Sequence, residues 1–170
     1  MRRDSKQRFD TVVLPHVHAG YNLARCLLRN DQDAEDAVQT AAIRAFQGID
    51  GFRGSDGKAW FLSIVRRSSL NVMRQKHPQT NWEGGAEDEI PDPNTPNPEQ
   101  FLMKSFDADL VTRALDSLPP GLKEMIVLRE VEGMAYKEIA AVIDHPIGTV
   151  MSRLSKARRQ LQAQLMEQMR

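Results

Sequence analysis

Cysteine occurs once in the 170 residues, at Cys26, so no internal disulfide forms and no cysteine-built zinc site is available; a lone thiol suits a reducing compartment. Aromatic residues make up only 6%, and strict apolar–polar alternation is missing, which removes strands as the main building material. No apolar run approaches the roughly 18 residues of a membrane span, and the start Met1–Lys6 leads into no apolar stretch of signal-peptide kind. Neither insertion in a membrane nor export is supported, and a cytoplasmic location is expected. A net charge is also lacking, because 23 Lys and Arg face 23 Asp and Glu. The whole-chain field therefore points to no nucleic-acid partner. No phosphate-cradling glycine motif, internal repeat or nucleophile–base–orienter grouping is present. His16 and His18 are two residues apart on a predicted helix and so point in different directions, while His77 and His145 stand alone. The chain is read as no enzyme, with no cofactor, metal or small-molecule substrate.

What is present is charge sorted by position. From Gly57 to Trp82 the ionised residues are Lys58, Arg66, Arg67, Arg74 and Lys76, all positive. From Pro78 to Gln100 they are Glu83, Glu87, Asp88, Glu89, Asp92 and Glu99, all negative. From His145 to Met166 they are Arg153, Lys156, Arg158 and Arg159, positive again. The acidic stretch also holds Pro78, Pro91, Pro93, Pro96, Pro98 and the pair Gly84–Gly85, which remove backbone donors and break helical pitch. Residues 78–100 are therefore expected to be a linker between two small helical domains, residues 8–77 and 101–169. Its acidity serves either solvation or the screening of the basic surfaces until a partner displaces it.

The fold class expected is all-α. A helix from about Phe9 to Leu28 is followed by one from about Ala34 to Gln47. The latter opens among Asp31, Asp33, Glu35 and Asp36, whose carboxylates suit the positive end of the helix dipole. Its inward stripe is Ala34, Val38, Ala41/Ala42 and Ala45/Phe46. The turn-prone run Asp50–Gly57 forms a loop, and Ser55 or Asp56 caps a helix from Lys58 to Lys76 that stops before Pro78. In the second half, helices are expected near Asp107–Ser117, at Leu122–Val131 ended by Gly133, at Tyr136–Ile143, and at Ile147 to about Gln168, with Asp144–Pro146 as the last turn. Ile147, Val150, Leu154, Ala157, Leu161 and Leu165 form the last helix's packing stripe, leaving Thr149, Ser152, Arg153, Lys156 and Arg159 opposite. A short helix, a tight turn and a longer helix with a polar basic face is helix-turn-helix geometry, whose second helix enters the major groove. Ser152 and Lys156 are placed for base edges, and Thr149, Arg153, Arg158 and Arg159 for phosphate. Upstream, Trp60, Ser63, Arg67, Asn71 and Arg74 share one helix face beside a glycine-rich loop, an arrangement suited to unpaired strands. The plainer alternative makes Trp60 a core residue and the arginines a soluble surface.

These residues carry a resemblance. Leu14 through Arg74 resembles region two of extracytoplasmic-function sigma factors, with Asp33–Gln39 and Ala59–Arg66 as its signatures. Leu118–Pro120, Val127–Arg129, Glu132–Gly133, Tyr136–Ala140 and Pro146–Leu154 resemble the family's region-four helix-turn-helix. The resemblance implies a dissociable promoter-specificity subunit that binds core RNA polymerase and promoter DNA, melts the promoter and starts transcription. It implies that Glu35, Asp36, Gln39, Thr40 and Ile43 dock on core polymerase. The loop from Phe52 and Arg53 to Gly57 captures an unpaired base of the minus 10 element, and Lys58, Trp60, Arg66, Arg67, Asn71 and Arg74 hold the melted strand. Met151, Ser152, Ser155 and Lys156 read the minus 35 element, flanked by Thr149, Arg153 and Arg159. An anti-sigma partner is also implied. The sequence departs from the commonest family pattern at Arg67, where Asn is usual, and at Asp144–His145, where a glycine-containing turn is usual. The rival reading is a stand-alone helix-turn-helix regulator, which leaves the N-terminal half without a target.

If the linker's acidity screens the basic faces, neutralising Glu87, Asp88 and Glu89 raises the free chain's affinity for DNA, read by fluorescence anisotropy. An unchanged affinity assigns those carboxylates to solvation.

Overall fold

A computed structural model describes residues 2–79 and 107–169. Most of the predicted linker (80–100) and the first residues of the second predicted domain lie outside the described residues. Every described element is helical, in the order α1 (Arg2–Val12), a 3-10 turn (Leu14–His16), α2 (Val17–Leu28), α3 (Asp31–Gly48), a second 3-10 turn (Ile49–Gly51), α4 (Gly57–Lys76), α5 (Ala108–Asp116), α6 (Pro120–Ile126), a π-helical turn (Val127–Val131), α7 (Tyr136–Ile143) and α8 (Ile147–Gln168). The described residues group into two compact units: those up to Gln79 with Lys137–Asp144, and those from Asp107 to Tyr136 with His145–Met169.

In the first unit, α2, α3 and α4 pack on one another around Leu23, Leu27, Phe61, Leu62 and Val65, all buried. The side of α3 that faces them is built almost wholly of alanine: Ala34, Ala37, Ala41 and Ala45 are buried along with Val38. The Asn30 side chain caps α3 by accepting from the Asp33 backbone N–H at 2.9 Å, one of the otherwise unsatisfied donors of a helix start. Asp56 caps α4 in the same way through the Ala59 N–H at 3.0 Å. The single helix expected over Phe9–Leu28 is instead two. Pro15 has no N–H to donate and its ring disfavours helical geometry at Leu14, so the chain passes through a 3-10 turn between α1 and α2. Phe46, expected in the core, is exposed and meets Phe9 edge to face at 5.6 Å between ring centroids.

In the second unit, α8 packs against α6 and α5, burying Leu122, Met125 and Ile126 with Val150, Leu154, Ala157, Leu161 and Leu165. Pro120 opens α6 at a position where a missing N–H costs nothing. The helix expected over Leu122–Val131 widens in its last five residues into the π turn, closed by Glu132 N–H to the Val127 carbonyl at 2.9 Å. Gly133 follows with a positive φ of 66°. Asp144, in the turn between α7 and α8, also has a left-handed φ, 57°; aspartate is among the few residues with a side chain that tolerate it. Ile147, expected at the head of the packing stripe, is exposed, because the stripe begins one turn later at Val150.

Gly57, the first residue of α4, lies against the end of α1: a Cβ there would stand 2.7 Å from the Val12 carbonyl oxygen. Backbone cannot retreat as a flexible side chain does. Gly57→Ala is expected to destabilise the chain by about 1–3 kcal/mol, read as a lower urea midpoint at unchanged m-value.

Candidate nucleic-acid interface

The loop between α3 and α4 folds back so that Phe52 stacks on Trp60, with ring centroids 4.6 Å apart and 28° between planes. Trp60 is half-buried and so is no core residue. A cleft of about 390 Å³ opens there, lined by Arg44, Gly48, Gly51, Phe52, Trp60, Ile64 and Arg67. Two aromatic rings and two guanidinium groups beside an open space suit a flat, electron-rich ring with an attached anion. Further along α4, Asn71 and Arg74 are exposed on the same face, and Arg53 is exposed at the loop tip. The Ser63 hydroxyl is turned inward and donates to the Trp60 carbonyl at 2.6 Å. Lys58 is half-buried near His16, whose pKa is lowered first by burial and then by the Lys58 charge.

Arg66 departs from the expected strand-facing set. It is only 7% exposed, and its guanidinium donates to the Ile143 carbonyl at 3.3 Å. One position removed from Arg67, it points away from the Trp60–Arg74 face by the helical pitch.

The Phe52 loop is held by residues that the sequence reading passed over. Arg8 Nη2 donates to the Phe52 carbonyl at 2.6 Å, and the Ser5 hydroxyl donates to the Asp50 carboxylate at 2.9 Å. Both come from α1, whose few apolar residues leave almost no periodic signal. Arg44 was missed as well, since only tertiary packing carries it to the Trp60 cleft.

On α3 the five residues expected to meet polymerase, Glu35, Asp36, Gln39, Thr40 and Ile43, are all exposed. Their spacing puts them on one side of the helix, opposite the alanines. Ile43 is 60% exposed, an uncovered branched apolar side chain in a polar surround. Asp33, in the first turn of α3, is engaged by Lys76 from the end of α4 at 2.5 Å.

On α8, Met151 and Arg159 are exposed, and Thr149, Ser152, Ser155 and Lys156 are half-buried. Two expected phosphate contacts are not on that face. Arg153 is 3% exposed, and Arg158 is buried with its guanidinium on the Glu130 carboxylate at 2.7 and 3.0 Å. Both flank the Val150–Leu165 stripe by helical pitch rather than opposing it, so packing that stripe covers them. Among the described residues no group of His, Cys, Asp and Glu is placed to hold a metal ion, and no helix is long and apolar enough to cross a membrane.

Residues 13–78 match the family model for sigma-70 region 2, and residues 108–161 match that for sigma-70 region 4. The chain is 32% identical over 171 residues to the ECF RNA polymerase sigma-E factor of Escherichia coli K12, covering 93% of this chain and 86% of that protein. It belongs to the extracytoplasmic-function sigma factors. It is also 36% identical over 155 residues to the ECF RNA polymerase sigma factor SigE of Mycolicibacterium smegmatis; there the alignment takes in 90% of this chain but only 60% of the relative's length. Among solved structures, the sigma factor RpoE of Bartonella quintana, in complex with the anti-sigma factor NepR, superposes with a TM-score of 0.69 at 29% identity over 96% of this chain and 98% of that one. CnrH, in complex with the cytosolic domain of CnrY, has the same fold, with a TM-score of 0.65 at 23% identity, covering 96% and 95% of the two chains. Within this sigma factor the region-2 match runs from the end of α1 through α4, and the region-4 match from α5 into α8.

Arg8→Ala removes the brace on the Phe52 carbonyl. Amide exchange at residues 51–55 is expected to speed up, while global stability falls by about 1 kcal/mol or less, since the lost bond is exposed. Exchange at the wild-type rate would show that α1 does not hold the loop.

Proposed function

We propose that this chain is a promoter-specificity subunit that binds core RNA polymerase, recognises promoter DNA and assists its melting to start transcription. Family membership carries the reading, and the Phe52–Trp60 stack beside Arg44 and Arg67 supports its melting step. An unpaired base gains stacking and cation contacts there that a paired base cannot reach, which offsets the few kcal/mol of unstacking and shifts the duplex toward the open form. The chain itself makes and breaks no bond in this role. It acts in the cytoplasm, where the polymerase and the chromosome are.

The residue assignments divide the work. The exposed α3 face (Glu35, Asp36, Gln39, Thr40, Ile43) docks on polymerase. Phe52, Arg53, Lys58, Trp60, Arg67, Asn71 and Arg74 take the minus 10 strand, without Arg66. The outer face of α8 (Thr149, Met151, Ser152, Ser155, Lys156, Arg159) reads the minus 35 duplex, without Arg153. An anti-sigma protein is the expected antagonist, on the analogy of the sigma factor RpoE solved in complex with the anti-sigma factor NepR. A stand-alone helix-turn-helix regulator is disfavoured because the region-2 match over residues 13–78 would then serve nothing.

Transcription from a supercoiled promoter library tests the reading. Specific transcripts are expected only when the chain and core polymerase are both present; identical products from core alone overturn it. Lys156→Ala is expected to weaken binding to minus 35 duplex by about 1–3 kcal/mol. Arg74→Ala should spare the duplex, weaken opened-strand binding and lower the salt slope by about 0.7. Equal effects of both changes on duplex would undo the division of labour.

A further inference from the structure

A second cleft of about 410 Å³ lies between α3 and α4, lined by Ala37, Thr40, Arg44, Ser68, Asn71, Val72, Arg74 and Gln75. Its lining includes no carboxylate. Arg44 and Arg74 make no ion pair or hydrogen bond among the described residues. Ser68 is 2% exposed, and its hydroxyl has no hydrogen-bond partner among the described residues. A buried hydroxyl ordinarily finds one, most simply a carbonyl one turn back on its own helix, as the adjacent Ser69 does with the Val65 carbonyl at 2.8 Å. Ser68 thus leaves a donor unused, among the described residues, at the floor of a cleft rimmed by the Arg44 and Arg74 guanidinium groups, the Thr40 hydroxyl and the Asn71 amide.

Arg44 also lines the Phe52–Trp60 cleft, so the two openings share a wall. One is aromatic, shaped for a ring. The other is polar and cationic, with donors suited to tetrahedral phosphate oxygens. We propose that the α3–α4 cleft is a phosphate site for the unpaired strand: Arg44 and Arg74 clamp a backbone phosphodiester beside the base held at Trp60, and Ser68 and Thr40 donate to it after a side-chain rotation uncovers the Ser68 hydroxyl. This rests on the opened-strand role proposed above and deepens it. It gives Thr40, at the edge of the polymerase-docking face, a contact on the strand path as well and adds Arg44 and Ser68, which the family resemblance does not supply. Continuity with the aromatic cleft favours a nucleic-acid phosphate over an acidic protein side chain.

The test titrates a fluorescein-labelled oligothymidylate of about 12 nucleotides, within the usual length range for single-strand grooves, with the full chain and its variants. Arg44→Gln is expected to weaken binding several-fold and to lower the slope of log K against log salt by about 0.7, one phosphate contact on a single strand. Ser68→Ala is expected to weaken binding about 3- to 10-fold while the thermal midpoint stays level or rises, because the hydroxyl removed satisfies nothing in the free protein. A merely structural serine would do the reverse, lowering the midpoint and leaving binding intact. Trp60→Ala serves as the reference for the strand reading itself. If Trp60→Ala abolishes binding while Arg44→Gln and Ser68→Ala bind with unchanged affinity and slope, the phosphate cleft is refuted and the strand reading stands. If none of the three alters binding, the strand reading falls with it. Two further results would overturn the assignment: weakened binding of the variants to core polymerase with oligothymidylate unaffected, or displacement of the oligonucleotide by inorganic phosphate, at ionic strength matched with chloride, that Ser68→Ala abolishes. The first would make the cleft a protein dock and the second a site for a free anion.

Discussion

The close packing of α3 on α4 and α2 is the constraint from which most of the first unit follows. Alanines at positions 34, 37, 41 and 45 present almost no side chain to the helices they face. Helices meeting through such small residues approach closely, and the long side chains to either side are pushed outward. That outward set is the one proposed to meet polymerase and the opened strand. On one flank of α3 stand Glu35, Asp36, Gln39 and Ile43. Toward α4 stand Thr40 and Arg44, at the lip of the groove whose other wall is Asn71 and Arg74. Larger residues on the alanine side would widen the crossing and pull those walls apart.

The same economy governs the loop. Phe52 reaches Trp60 only because the chain turns tightly after α3, and α1 then fastens it through Arg8 and Ser5. The aromatic pair is therefore held open-faced rather than folded into the core. Preorganisation of this kind spares the ordering entropy that a floppy loop would surrender on binding. In the second unit, the pair of buried Arg158 with half-buried Glu130 does a different task. Breaking such a pair strands a charge, so it ties the π turn after α6 to the middle of α8 and withdraws one arginine from the basic surface.

Much of this was legible in the residue order. Helix identity over α3, α4, α7 and α8 follows from caps and stops that act within a few residues: Asn30, Asp56, Pro78, Pro146. The two family signatures are likewise local strings. The misreadings share one cause. Phe46, Ile147, Arg153 and Arg158 are expected on one face or the other from apolarity or charge, and Arg66 from the family resemblance, yet each sits at the margin of a stripe, where the width of the buried face decides. Helical pitch gives the centre of that face. Its edges depend on which neighbour packs there. Pro15 is a plain local signal for the break between α1 and α2.

Sequence by itself determined the helical class, the sorting of charge into basic and acidic blocks, and the order of the two recognition regions, because caps, prolines and periodic apolar residues exert their effects through the backbone over a turn or two. Tertiary structure alone decided which cations remain exposed. Burial of a guanidinium depends on contacts between residues distant in the chain, and no short-range pattern encodes them. It likewise decided that Arg44, from one helix, and Ser68 and Arg74, from another, line a common cleft.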